Sequence, residues 1–154
     1  LTFVNKSCCD SGVVNRFITM LLAEVDPAAH LLTLASAGHP APLVRRADGR
    51  VEPLECPGGG PPLGGDRDAS YSPSRFQLEP GEGVVFYSDG LVDAVDEFGG
   101  LLGAERLRDA LARTTGGAEE VGEGILRAFS RHLKDRSPLD DVTIVCFGRN
   151  PNDP

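Results

Sequence analysis

The sequence predicts an α+β fold, a two-sheet antiparallel β-sandwich flanked by helices. Three observations carry that expectation. Apolar, β-forming runs recur through the first half of the chain with connections short enough for hairpins, which makes neighbouring strands antiparallel. Two stretches between residues 104 and 133 repeat their apolar residues at helical spacing, so each has one face to bury. A last apolar run, VTIVCF, closes the chain as a strand.

Arg16 to Asp26 (RFITMLLAEVD) is apolar on both faces, the pattern of a central strand. Asp26-Pro27 marks a turn, and His30 to Ser36 (HLLTLAS) returns as its hairpin partner. Pro42 to Arg46 and Val51 to Leu54 make a second hairpin around Asp48-Gly49, a pair suited to a tight turn. Arg45-Arg46 reads there as a solvated pair. Cys56 to Asp66 (CPGGGPPLGGD) is too rich in glycine and proline for a regular element and reads as a flexible flap. It is no phosphate-binding P-loop, because no GK[ST] opens a helix after it.

Phe76 to Leu78 is a short strand, Pro80-Gly81-Glu82 a turn, and Gly83 to Ser88 (GVVFYS) a buried strand. Ala104 to Arg113 is a helix with Leu107 and Leu111 on one face. After Gly116-Gly117, Ala118 to Leu133 aligns Val121, Ile125, Phe129 and Leu133 in one stripe. The last strand is Val142 to Phe147. The residues before Arg16 supply little to cover a second sheet face. The chain therefore reads as one domain over residues 1–149, lacking its N-terminal part, with a tail at 150–154. Self-association of such a chain is expected, through apolar surface left uncovered.

A length of 154 residues suits one domain, and 40% hydrophobic with 25% charged residues is ordinary for a globular protein. The net charge of -8 argues against nucleic acid or an anionic membrane as the main partner. No apolar run of 18 residues and no signal-peptide pattern occurs, so a cytoplasmic location is expected. The cysteines, Cys8, Cys9, Cys56 and Cys146, show no CxxC spacing. Cys146, inside VTIVCF, reads as a small buried hydrophobe.

Among 23 acidic residues, three stand out by position. Asp89 directly follows the apolar strand VVFYS and precedes Gly90, which lets the backbone turn sharply. Asp140 and Asp141 directly precede the last strand. If those two strands are antiparallel neighbours, the end of one lies beside the start of the other, and three carboxylates converge on one edge. Such a cluster calls for a cation, and Mg2+ or Mn2+ takes all-oxygen ligands. Spacing alone equally allows Ser88-Asp89-Gly90 to be a turn and Leu139 to Asp141 a solvated loop.

SDGL at Ser88–Leu91 with Asp93-Ala94 resembles the TDGL-x-EA segment of the bacterial PP2C-like phosphatases of the SpoIIE and RsbU type, and DDVT at Asp140–Thr143 resembles their closing DDxT. AGHPAPLV at Ala37–Val44 is similar to their AGHPPPL hairpin, and RFITM at Arg16–Met20 to their xFxTM strand. PPLG at Pro61–Gly64, LEPGE at Leu78–Glu82 and FGG-x-x-G-x-x-RL from Phe98 to Leu107 follow the family's order. The resemblance implies a manganese- or magnesium-dependent serine/threonine protein phosphatase with a two-metal centre. There, a metal-activated water attacks phosphoserine or phosphothreonine on a signalling protein, often an anti-sigma-factor antagonist. It carries Asp89 and Asp140 over as metal ligands, with Asp141 adjacent and Gly90 beside Asp89. His39 of AGHP reads either as a ligand or general acid or as a hairpin histidine held by backbone hydrogen bonds near the site, the second being favoured because hard cations prefer oxygen. The family's first ligand, an Asp in GD-x-x-GxG, has no counterpart between Leu1 and Pro154, since Asp10-Ser11-Gly12 lies downstream of where it belongs. The alternative reading is a non-catalytic regulatory or interaction module on the same fold.

Overall fold

The structure is a computed structural model and describes residues 1–11 and 17–152. Its elements in chain order are α1 (Thr2–Asp10), β1 (Met20–Asp26), β2 (Leu31–Ala37), β3 (Leu43–Arg45), β4 (Val51–Pro53), β5 (Ser74–Gln77), β6 (Gly83–Tyr87), α2 (Asp89–Val92), α3 (Gly103–Ala112), α4 (Ala118–Leu133) and β7 (Ile144–Gly148). Both sheets are antiparallel, as the short connections require. Two compact units divide the chain: Leu1–His39 with Glu55–Gln77, and Pro40–Leu54 with Leu78–Pro154.

The first unit holds the sheet β1-β2-β5. β1 and β2 pair from Met20↔Ala37 to Asp26↔Leu31. Asp26 closes their turn by accepting the amides of Ala28 and Ala29 at 3.0 Å each. β1 is an edge strand rather than the expected central one, and Leu22 and Val25 on it are about half exposed. Apolar side chains on both faces report what a strand could bury, not how many strands its backbone meets. The expected start of this strand at Arg16 lies outside the described residues.

Helix α1 has no counterpart in the sequence expectation, because TFVNKSCCD carries no apolar period. A buried polar residue secures it instead. Asn5 is fully buried; its Nδ2 donates to the Asp66 carbonyl at 2.7 Å and its Oδ1 accepts from the Gly64 amide at 2.9 Å. Those bonds also tie down the glycine- and proline-rich loop, which bridges to Ala37 through Gly60 and to Ile18 through Leu63. The expected free flap is thus a bonded loop. It leaves no room beside Gly38 (φ +66°), where a Cβ would stand 2.5 Å from the Pro62 ring.

The second unit holds the sheet β4-β3-β6-β7, with Gly49 (φ +88°) in the β3–β4 turn. Its core joins one face of this sheet to the helices. Leu43, Val85 and Tyr87 pack with Leu91, Leu107, Leu111, Val121, Ile125 and Leu133, each under a tenth exposed. Helix α4 starts on the Gly117 amide donating to Glu120 Oε2 at 2.9 Å and ends with Arg131 in its last turn, where a cation suits the helix dipole.

Arg46 is not the solvated side chain expected of the Arg45-Arg46 pair. Its guanidinium bonds Glu52 and reaches Glu82 Oε1 at 3.1 Å, and Glu82 is buried, also accepting the Glu79 amide at 3.0 Å. A hairpin sequence does not reveal a carboxylate 36 residues away that its arginine will meet. Removing Glu82 strands both donors, so Glu82→Ala should cost about 2–4 kcal/mol in denaturant unfolding. Glu52→Ala, at the exposed end of the same cluster, should cost under about 1 kcal/mol. Equal losses in the two variants would show that burial does not set the cost.

Candidate functional site

β6 and β7 are antiparallel neighbours, with Tyr87 opposite Ile144 at the end of the ladder. The segment leaving β6 therefore lies beside the segment entering β7. Ser88, in extended conformation, joins them. Its amide donates to the Thr143 carbonyl at 3.0 Å, its Oγ donates to the Asp141 carbonyl at 3.1 Å, and its Oγ accepts the Thr143 amide at 2.9 Å. The chain then turns into α2 at Asp89, anchored from within by Leu91 and Ala94, which are buried.

Gly90 is the closest point of approach. A Cβ there would stand 2.4 Å from the Asp141 carbonyl oxygen and 3.4 Å from Asp140 Cβ. The expected reason for this glycine, a sharp backbone turn, is not the one found. Gly90 sits in a helical turn, and what it supplies is the missing side chain that lets the two segments touch.

Asp89, Asp140 and Asp141 are all exposed to solvent. Asp89 Oδ1 accepts the Gly90 amide at 3.0 Å, and Asp140 Oδ1 accepts the Asp141 amide at 2.7 Å. Each carboxylate thus keeps one oxygen on its own backbone. Among the described residues, no group of three or more His, Cys, Asp or Glu side chains is gathered closely enough to hold a metal ion. In kind, the donors of the two touching segments are carboxylate and carbonyl oxygens without sulfur or imidazole, which suits a hard divalent cation.

His39 lies in the first unit, where its Nδ1 is 3.4 Å from Thr19 Oγ1 and its carbonyl accepts from Ser36 Oγ at 3.4 Å. Beyond α2, Asp96 closes a turn by accepting the amides of Gly100 at 2.8 Å and Phe98 at 2.9 Å, and these two bonds hold its carboxyl below the usual carboxylate range. Burial pushes the Tyr87 hydroxyl and the Cys146 thiol up, so neither is primed as a nucleophile. Sequence reasoning quoted Ser88 and Thr143 inside motifs without giving them a task. The signal available was Ser88, a hydroxyl residue at the strand end directly preceding Asp89.

The family model described as Stage II sporulation protein E (SpoIIE) matches residues 1–150. The chain belongs to the SpoIIE family. Its fold is accordingly that of the bacterial PP2C-like phosphatases. The phosphoserine phosphatase RsbU of Bacillus subtilis is 30% identical over 136 residues, which are 88% of this chain and 40% of RsbU. The crystal structure of the RsbU and RsbW domains of Rv1364c from Mycobacterium tuberculosis superposes with a TM-score of 0.72 at 25% identity, covering 88% of this chain and 38% of that one. The manganese-presoaked phosphatase domain of SpoIIE from Bacillus subtilis superposes with a TM-score of 0.70 at 16% identity, covering 97% of this chain and 64% of that one, a likeness of fold alone. The SpoIIE-family chain spans less than half the length of the curated relatives it matches. Among its described residues no helix is long and apolar enough to cross a membrane.

Proposed function

We propose that this chain forms the part of a PP2C-like phosphatase that carries the Asp89 and Asp140 segments, acting on phosphoserine or phosphothreonine of a bacterial regulatory protein with Mn2+ or Mg2+. The single observation that carries the reading is the contact between Ser88–Gly90 and Asp140–Asp141, the same two segments that match the family's aspartate motifs. The phosphoserine phosphatase name of RsbU supports the substrate class, and the manganese-presoaked SpoIIE domain supports the ion. An RsbU domain found in one chain with an RsbW domain supports a phosphorylated regulatory partner, such as an anti-sigma-factor antagonist.

In this reading Asp89 and Asp140 hold the cation, with Asp141 beside them. Ser88 fixes the spacing between the two segments, and Gly90 keeps their gap clear. A bound divalent cation supplies Lewis acidity towards the phosphoryl group and its attacking water. The carboxylate count is short of a full two-metal set within the described residues, so the full-length protein is the proper test object.

The test is release of phosphate from a phosphoserine peptide by the full-length protein across a manganese titration. The expected result is turnover that saturates with manganese and vanishes with a chelator. Absence of turnover at every manganese and magnesium concentration, together with retained partner binding, would favour a non-catalytic interaction module instead.

A further inference from the structure

We propose that the cleft at the far end of the β6–β7 pair, between that sheet edge and the start of α4, is a binding site for a small organic anion with an apolar body. The cleft has a volume of about 700 Å3, lies wholly within the second unit, and sits at the opposite end of the ladder from Asp89 and Asp140. Its size falls in the range of small-molecule pockets, about 300–1,000 Å3.

On the helix-facing side of the sheet Val121 and Cys146 bring apolar side chains to the cleft, and Arg45 brings a cationic one, with Arg149 also lining it. In a protein of net charge -8, that combination reverses the prevailing sign locally. Arg45 extends from β3 on the face shared with Leu43, and its Nε is buried with no hydrogen-bond partner among the described residues. A buried donor on a charged group costs free energy when unmade, so an orphaned one calls for an acceptor. Arg149 is held across the opening by its Nη1 donating to the Leu78 carbonyl at 3.1 Å. The carboxylate that also lines the cleft, Glu82, is already bonded to Arg46 and the Glu79 amide. An incoming carboxylate or sulfonate therefore meets the Arg45 guanidinium, and its hydrocarbon part meets Val121 and Cys146.

This site does not rest on the phosphatase reading, and its probe carries no phosphoryl group. Naphthalene-2-sulfonate is titrated into the full-length protein by calorimetry, beside the neutral naphthalene-2-sulfonamide. The expected result is saturable one-site binding of the sulfonate, with the sulfonamide at least about tenfold weaker, as loss of a charge-assisted hydrogen bond implies. Arg45→Met should weaken the sulfonate by about tenfold or more and Arg45→Lys by less, because lysine keeps the charge without the planar fork. Should Arg45→Met itself melt at a markedly lower temperature, Ala47→Trp decides, since Ala47 is exposed at the cleft rim and its indole would obstruct entry. Equal affinity for sulfonate and sulfonamide, no binding, or unchanged binding in both Arg45→Met and Ala47→Trp would overturn the proposal.

Discussion

In the full-length protein, Asp89→Asn is expected to lower phosphoserine turnover by about 10²-fold or more, the scale of losing several kcal/mol of cation-derived stabilisation. Asparagine keeps the shape of the side chain, and its Oδ1 can still accept the Gly90 amide that Asp89 holds at 3.0 Å. The fold should therefore stand. Without metal the melting temperature should hold, because the side chain is exposed and loses only its charge. Stabilisation by added manganese should shrink, since a ligand stabilises only as far as it binds the native state. The variants are compared by phosphopeptide turnover across a manganese titration and by melts with and without the ion. If Asp89 were only a turn residue, asparagine would serve nearly as well, and full turnover at ordinary manganese would return it to that role.

Gly90→Ala should be nearly as damaging to turnover while leaving every carboxylate in place. Its Cβ would fall 2.4 Å from the Asp141 carbonyl oxygen, closer than real Cβ contacts allow. Alanine suits the helical backbone at this position, so the conflict is one of contact and not of conformation. Something must move. β6 is locked between β3 and β7, whereas Asp140 and Asp141 are exposed and precede the strand, so the Asp140–Asp141 segment yields. A shift of about 1 Å in a positioned group can cost about 10²-fold in rate. Overpacking of this kind also costs about 1–3 kcal/mol of stability. The discriminating measurement is the manganese concentration for half-maximal turnover, which should rise several-fold or more. A wild-type manganese curve in a variant that has lost stability would mean that the contact between the two segments serves folding alone.

Much of the architecture was legible because local chemistry and tertiary structure agree. Asp48-Gly49 between apolar runs is a turn in the structure, with Gly49 at positive φ as the sequence context demanded. Helix α4 runs from Ala118 to Leu133, as its apolar stripe predicted, because Val121, Ile125 and Leu133 are the residues the core takes. The aspartate segments were legible for a related reason. A strand's hydrophobic run locates its own ends, and Asp89 and Asp140 were marked by adjacency to such ends.

What the sequence by itself determined, then, is the seven strands and the helices α3 and α4, the strands' antiparallel habit, and the family to which their motifs point. The tertiary structure decided the partners. It made β1 an edge strand, fastened α1 through Asn5 to the loop at Gly64 and Asp66, and turned Arg46 from an exposed hairpin residue into the counter-ion of buried Glu82. It also gave Ser88 three bonds across to Asp141 and Thr143 ahead of the last strand, and Gly90 a reason that its backbone conformation does not supply. Periodicity and turn chemistry act over a few residues and are written locally in the chain. Strand order, buried polar partners and close backbone approach are set by residues tens of positions apart, and no local pattern encodes which of them will meet.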